Sequence, residues 1–292
     1  MSETPIVVDA HTHVISDDTA RYPLRPPGLA QGSGGSRRPA DWFRTHPITA
    51  EGLLAEAATA GVDRVVFVQA MGAYGYDNTY CADAARAHPE RATSVAIVDP
   101  GASDPGADLT HWVRERGMRG VRVFAIGGDE AFLDGEAGDA MFATAGVLGI
   151  PVVVATLSTG LARLARVVRR HPEVPVALDH CGFPDLRGGP PYAAAAPLFA
   201  LAEHPSLHLK VSGLILGQVE AAGGRPADVV ARLADAFGAR RLLWGSDHPQ
   251  THDRSYTDLV RLCRDASADL SDDDRSWYLG RTACALWPEL AA

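Results

Sequence analysis

A single-domain (β/α)8 barrel is the fold this chain predicts, and three observations predict it. Short β-rich runs recur along the 292 residues. A segment of helical period, rich in Ala, Leu and Arg, follows each run. Histidine and aspartate stand where strands end, the face on which such barrels carry their chemistry.

The expected strands are Ile6–Asp9, Arg64–Gln69, Ser94–Val98, Gly120–Phe124, Pro151–Ala155, Val176–Asp179, Leu207–Val211 and Leu242–Trp244. Helices are expected near 51–60, 78–88, 106–116, 138–148, 159–170, 192–203, 226–237 and 255–267. The tail 271–287 reads as one extra C-terminal helix, with Ser271 as its N-cap and acids in its first turn. Eight β-then-α units in series suit a closed parallel barrel of about 250 residues plus one insertion. A doubly wound sheet of the dinucleotide-binding kind would need a Gly-rich loop after its first strand. The chain has Ala10-His11-Thr12-His13 there. One domain spanning 1–292 is therefore expected.

Residues 15–48 break the rhythm. This long loop after strand one carries Pro23, Pro26, Pro27, Gly32, Gly34, Gly35 and Pro39. It is either a surface insertion or a lid, since it leaves from the active face. Tyr22, Trp42 and Phe43 favour the lid, because a purely solvated loop has little use for them.

The hydrophobic fraction is 46% and the charged fraction 22%, enough to build a sizeable core. The net charge of −9 argues against nucleic acid or an anionic membrane as the main partner. The expected partner is a small-molecule substrate, bound by a monomer or homo-oligomer. The opening Met1-Ser-Glu-Thr-Pro lacks a basic stretch followed by an apolar one, so no secretory leader is expected. No apolar run approaches the roughly 18 residues that span a bilayer. Cys81, Cys181, Cys263 and Cys284 are scattered, which suits reduced thiols and a cytoplasmic location.

Three motifs carry chemistry. In Asp9-Ala-His11-Thr-His13, two imidazoles two residues apart on an extended segment converge on one point. They suit a divalent metal or a polarised carbonyl oxygen. Leu178-Asp179-His180-Cys-Gly ends strand six, and Trp244-Gly-Ser-Asp247-His-Pro ends strand eight. The candidate catalytic set is thus His11, His13, His180 and Asp247.

The ordered series resembles the amidohydrolase superfamily, a group of TIM-barrel enzymes. Val68-Gln69, Gly75-Tyr-Asp77-Asn78, Val98-Asp-Pro100, Arg170-His-Pro-Glu, Leu178-Asp-His180-Cys-Gly-Phe-Pro184 and Leu209-Lys-Val-Ser-Gly-Leu214 together resemble its lactonase-like branch. That branch is similar to 2-pyrone-4,6-dicarboxylate lactonase and sugar-lactone hydrolases. The resemblance implies a hydrolase that opens a lactone, an ester or a cyclic amide. Asp247 would activate water, with His11, His13 and His180 polarising the carbonyl. The alternative is a metal-dependent non-oxidative decarboxylase of the same superfamily.

Strand five bears on the cofactor. Metal-dependent members often place a His or a modified Lys there, whereas this chain reads Val154-Ala-Thr156-Leu-Ser158. No metal is therefore expected to be required. If zinc is present, His11, His13 and Asp247 could hold it, with His180 as a candidate fourth ligand.

Arg122 lies within strand four, where a charge needs a polar mouth or a partner. It is expected to pair with a substrate carboxylate or carbonyl oxygen, or else with an acid of a neighbouring loop. Tyr74, Tyr76 and Asn78 after strand two either line the pocket or pack their own loop, and Thr156 is a further substrate-binding candidate. Dicarboxylate lactonases gather several arginines and tyrosines. Here Ser212-Gly-Leu214-Ile-Leu216-Gly follows strand seven without an Arg, so a less charged, partly apolar substrate is expected. His248 is expected only to shape its turn. His46, His88, His111, His171, His204, His208 and His252 are read as structural or solvated.

Overall fold

The structure, a computed structural model, describes residues 5–25, 41–126 and 129–291. Its strands are β1 (Val8–Thr12), β2 (Arg64–Val68), β3 (Ala92–Ile97), β4 (Val121–Ala125), β5 (Val152–Thr156), β6 (Val176–Leu178), β7 (Leu207–Ser212) and β8 (Leu242–Gly245). Every predicted strand is present. They pair in parallel and in chain order from β1 to β8, which leaves one seam between β8 and β1. Backbone bonds close that seam at its upper end. Asp247 N–H donates to the His11 carbonyl and His13 N–H to the His248 carbonyl, each at 2.8 Å. The result is a nearly closed (β/α)8 barrel.

Alternation along each strand sorts the side chains. Phe67, Val121, Val154, Leu178, Leu209 and Trp244 face the surrounding helices in the main core. Val8, Ala10, Val66, Val95, Val153 and Leu243 face inward, above a floor made by Trp287 and Leu290 of the tail.

Asp9 belongs to the seam, not to the pocket. Its buried Oδ1 accepts from Ser246 N–H at 2.9 Å and His11 N–H at 3.1 Å. Its Oδ2 accepts from the Tyr256 hydroxyl at 3.0 Å. One carboxylate thus ties β1, β8 and the helix Tyr256–Ala266 together. A Cβ on Gly245 would meet the His11 Cβ at 2.6 Å, so β8 can lie this close to β1 only with glycine there.

Several elements differ from the sequence reading, three of them by more than a shifted end or a single added turn. The segment 192–203 is not one helix but three short pieces, Ala193–Ala195, Ala196–Ala200 and Leu201–Glu203. The tail starts at the expected cap, since Ser271 Oγ accepts from Asp274 N–H at 3.2 Å. It then runs as Asp272–Ser276, a π-helical turn Trp277–Arg281, and Thr282–Leu286. A helix Gly213–Ala221 follows β7 unannounced. Its first residues Gly213 to Leu216 are all buried, so they show no amphipathic period.

In the loop after β1, the helix Trp42–Thr45 packs Trp42 and Phe43 with Ile15, Tyr22 and Tyr74 in a separate apolar cluster. Pro26, Pro27, Gly32, Gly34, Gly35 and Pro39 lie outside the described residues. Among the described residues, no helix is long and apolar enough to cross a membrane.

Candidate active site

Four buried side chains meet at the top of the barrel: His11 of β1, His13 just beyond it, His180 after β6 and Asp247 after β8. Asp247 Oδ1 lies 3.5 Å from His13 Nε2 and 3.7 Å from His11 Nε2. The His180 ring stands 5.0 Å from the His11 ring between centroids. Asp247 and His180 both adopt left-handed backbone conformations, with φ of 61° and 52°. Non-glycine residues seldom take these values, and they concentrate at functional sites.

Each group is held from behind. Asp247 Oδ2 accepts from the Thr251 hydroxyl at 2.8 Å, which leaves Oδ1 turned to the histidines. His13 Nδ1 donates to the Val68 carbonyl at 2.8 Å. His11 Nδ1 donates to Asp179 Oδ1 at 3.1 Å. His180 Nδ1 meets the Ser212 hydroxyl at 2.8 Å, and that group can serve it as donor or acceptor.

These partners decide what the centre offers. A neutral imidazole that donates through Nδ1 carries a lone pair on Nε2. His11 and His13 therefore present two lone pairs to a carboxylate oxygen. His11 Nε2, His13 Nε2 and Asp247 Oδ1 are all buried without a hydrogen-bond partner. Converging acceptors repel one another unless a proton or cation lies among them. Burial moves the His11 imidazole well below its ordinary pKa, although Asp179 opposes this. Burial likewise lowers His180. Burial alone would raise the Asp247 carboxyl, but the charge that His180, His13 and His11 bear when protonated outweighs it and holds it below the usual carboxylate range. The arrangement is an anionic carboxylate facing basic nitrogens.

Such a set fits a divalent cation. The ligand atoms of His11, His180 and Asp247 all lie within 4.8 Å of one another. His180, the fourth candidate ligand of the sequence reading, thus groups with His11 and Asp247, while His13 falls outside this group. The His13 ring stands nearly perpendicular to that of His11, at 80°, and is fixed by Val68. Without a metal, polarising the carbonyl would fall to histidine N–H groups as donors. The Nδ1 partners of His11 and His13 remove two of those donors from the neutral site.

Beneath the centre, Asp179 is fully buried between cations. Arg122 Nε donates to its Oδ2 at 2.7 Å, and Lys210 Nζ lies 3.2 Å from its Oδ1. Burial opposes ionisation of Asp179, but Lys210, His11 and Arg122 keep its pKa well below the ordinary value. Arg122 thus points inward as expected, and its Nε is committed to the residue before His180.

The remaining candidates are dispersed. Asn78 donates through Nδ2 to the carbonyls of Tyr76 and Ile97, both at 3.0 Å, and accepts from Ile97 N–H at 2.8 Å. It clips the loop after β2 to the end of β3. The Tyr76 side chain is 40% exposed, and Tyr74 packs in the aromatic cluster of the loop after β1. Thr156 needs correction as a pocket residue. Val152 and Val154 face the helices and Val153 faces inward, so the alternation turns Thr156 toward the helices. A Cβ on Gly160 would strike its Oγ1 at 2.1 Å. Two aromatic rings do flank the centre. Trp42 lies 5.4 Å from His13, and Phe183 lies 4.8 Å from His180, between centroids.

With this geometry in hand, comparison with known proteins is decisive at the family level. The model of the family described as amidohydrolase matches residues 8–288. The chain belongs to the amidohydrolase family. Within it, an L-fucono-1,5-lactonase from Burkholderia ambifaria is 31% identical over 242 residues, covering 78% of this chain and 80% of that protein. A putative 2-pyrone-4,6-dicarboxylic acid hydrolase from Pseudomonas putida is 23% identical, covers 98% of both chains and superposes with a TM-score of 0.75. An amidohydrolase from Burkholderia multivorans with bound zinc is also 23% identical with a TM-score of 0.75, covering 97% of this chain and 99% of that one. At that identity the structural likenesses show the fold. The protein is an enzyme, an amidohydrolase-type hydrolase.

The sequence reading of this amidohydrolase missed Asp179, Lys210, Ser212 and Thr251. A signal existed for Lys210. Leu207, Leu209 and Val211 alternate with His208, Lys210 and Ser212. A charge within a barrel strand needs an inward partner, the same argument that singled out Arg122.

Proposed function

We propose that this enzyme hydrolyses a lactone, with Asp247 as the general base. The observation that carries the reading is the buried, unpartnered Asp247 Oδ1 beside two imidazole nitrogens, its other oxygen fixed by Thr251. The 31% identity to a lactonase supports the choice of cyclic ester.

A divalent ion held by His11, His180 and Asp247 would polarise the substrate carbonyl oxygen. Asp247 takes a proton as water attacks the carbonyl carbon. The ring C–O bond then breaks, and Asp247 returns the proton to the departing alkoxide, giving a hydroxy acid. His13 lies outside the ligand group, and its Nε2 accepts a hydrogen from the attacking water and so aims it. Trp42 and Phe183 wall the centre and suit a ring with an apolar face. Thr156 has no part in binding.

The decarboxylase alternative has less behind it, because the relative that is 31% identical to this chain is a lactonase. A panel of sugar lactones, simple lactones, linear esters and cyclic amides, read by proton release in weak buffer, tests the proposal. Turnover of a lactone supports it. Failure across all lactones, with carbon dioxide released from an aromatic or enoic acid, overturns it.

A further inference from the structure

One strand supplies no group to the centre yet stands behind two of its three buried histidines, His11 and His180. β7 turns Lys210 and Ser212 inward, two residues apart. Ser212 Oγ lies 2.8 Å from His180 Nδ1. Lys210 Nζ lies 3.2 Å from Asp179 Oδ1, the oxygen that accepts from His11 Nδ1. Arg122 holds the other oxygen, which fixes the rotation of the Asp179 carboxylate.

We propose that Lys210 and Ser212 are positioning residues that aim the Nε2 atoms of His11 and His180 at a divalent cation. This rests on the reading of the centre as a cation site. Three features of the geometry carry it. Ser212 meets His180 at Nδ1 and Asp179 meets His11 at Nδ1, so both rings leave Nε2 for the centre. Both β7 side chains are fully buried, so neither meets solvent in this structure. Arg122 already provides Asp179 with one cation, so charge neutralisation alone does not call for a second. A buried lysine is also poor for stability, since an apolar side chain of similar volume generally does as well or better. Lys210 acts through Asp179 on His11, and Ser212 acts directly on His180. Outer partners of this kind orient the ring and set the basicity of a ligating nitrogen, and losing one typically lowers metal affinity about 10–100-fold.

The test uses Co2+ alone as probe, titrated into the full-length enzyme against a chromophoric chelator, with the visible Co2+ spectrum as a second readout. Lys210→Met and Ser212→Ala are each expected to lose about tenfold or more in affinity and to shift the spectrum. Lys210→Arg and Ser212→Thr, which keep the charge and the hydroxyl, should recover most of the loss. In turnover, the Met and Ala variants should fall in kcat with KM nearly unchanged. Folded variants that bind Co2+ as the wild type does, with its spectrum and kcat, would overturn the positioning role and leave the site reading intact. A wild-type enzyme that takes up no Co2+ at the centre would overturn both. If Lys210→Met fails to fold, Ser212→Ala and Lys210→Arg decide the matter by the same readouts.

Discussion

Arg122 Nε lies 2.7 Å from Asp179 Oδ2 inside the barrel, where both side chains are almost wholly excluded from solvent. Lys210 approaches the other carboxylate oxygen. Removing the single anion from this group strands two buried cations. Asp179→Asn should therefore cost about 3–5 kcal/mol, the usual cost of breaking a buried pair. Urea unfolding followed by circular dichroism checks this. A loss below about 1 kcal/mol would mean that the three groups are not mutually dependent.

Asp9 gives a pH dependence of defined sign. Burial pushes its carboxyl up to about 6, against the hydrogen bonds from Ser246, His11 and Tyr256. A carboxyl raised on folding favours the native state most when protonated. Its contribution is complete below about pH 4 and is lost as pH rises through about 6. A rise of that size corresponds to about 3 kcal/mol. Asp9→Asn lacks this titration. The stability of the wild type relative to Asp9→Asn should thus fall by about 3 kcal/mol between about pH 4 and about pH 7. A constant difference across that range would contradict it.

The four cysteines should differ in reactivity. Burial pushes the Cys81 and Cys181 thiols up to about 12 and Cys263 well above its ordinary value. Cys284 is partly exposed and less strongly raised. Iodoacetamide at about pH 8 should therefore modify Cys284 first in the native enzyme, and all four after denaturation. Peptide mapping by mass spectrometry reads the order. Early labelling of Cys81 or Cys181 would contradict the packing.

The barrel was legible because eight apolar runs and their helices each bury one face, and that leaves a period in the sequence. The Gly213–Ala221 helix was not, because its first turn, Gly213 to Leu216, is buried on every side and shows no period to read. The same division holds at the centre. His11, His13, His180 and Asp247 end strands at one face, and their motifs show it. Asp179, Lys210, Ser212 and Thr251 act on those residues from other strands and loops. Which nitrogen of His11 or His13 faces the centre depends on a carboxylate after β6 and a carbonyl of β2. Spacing along one segment carries no such information. Thr156 misled for a simpler reason, since a β-strand end offers two faces and only one of them meets the pocket.

The central claim is that Asp247 accepts the proton of the attacking water as a lactone opens. Asp247→Asn keeps the shape and an oxygen for Thr251 but removes both the base and a carboxylate ligand of the proposed cation, so Co2+ affinity is measured beside its kcat. Its kcat on the best lactone substrate, measured beside an unfolding curve, tests the claim most directly. The account predicts a fall of about 10²–10⁴-fold with the fold retained. A folded Asp247→Asn enzyme that turns over the lactone within about tenfold of the wild type would contradict it.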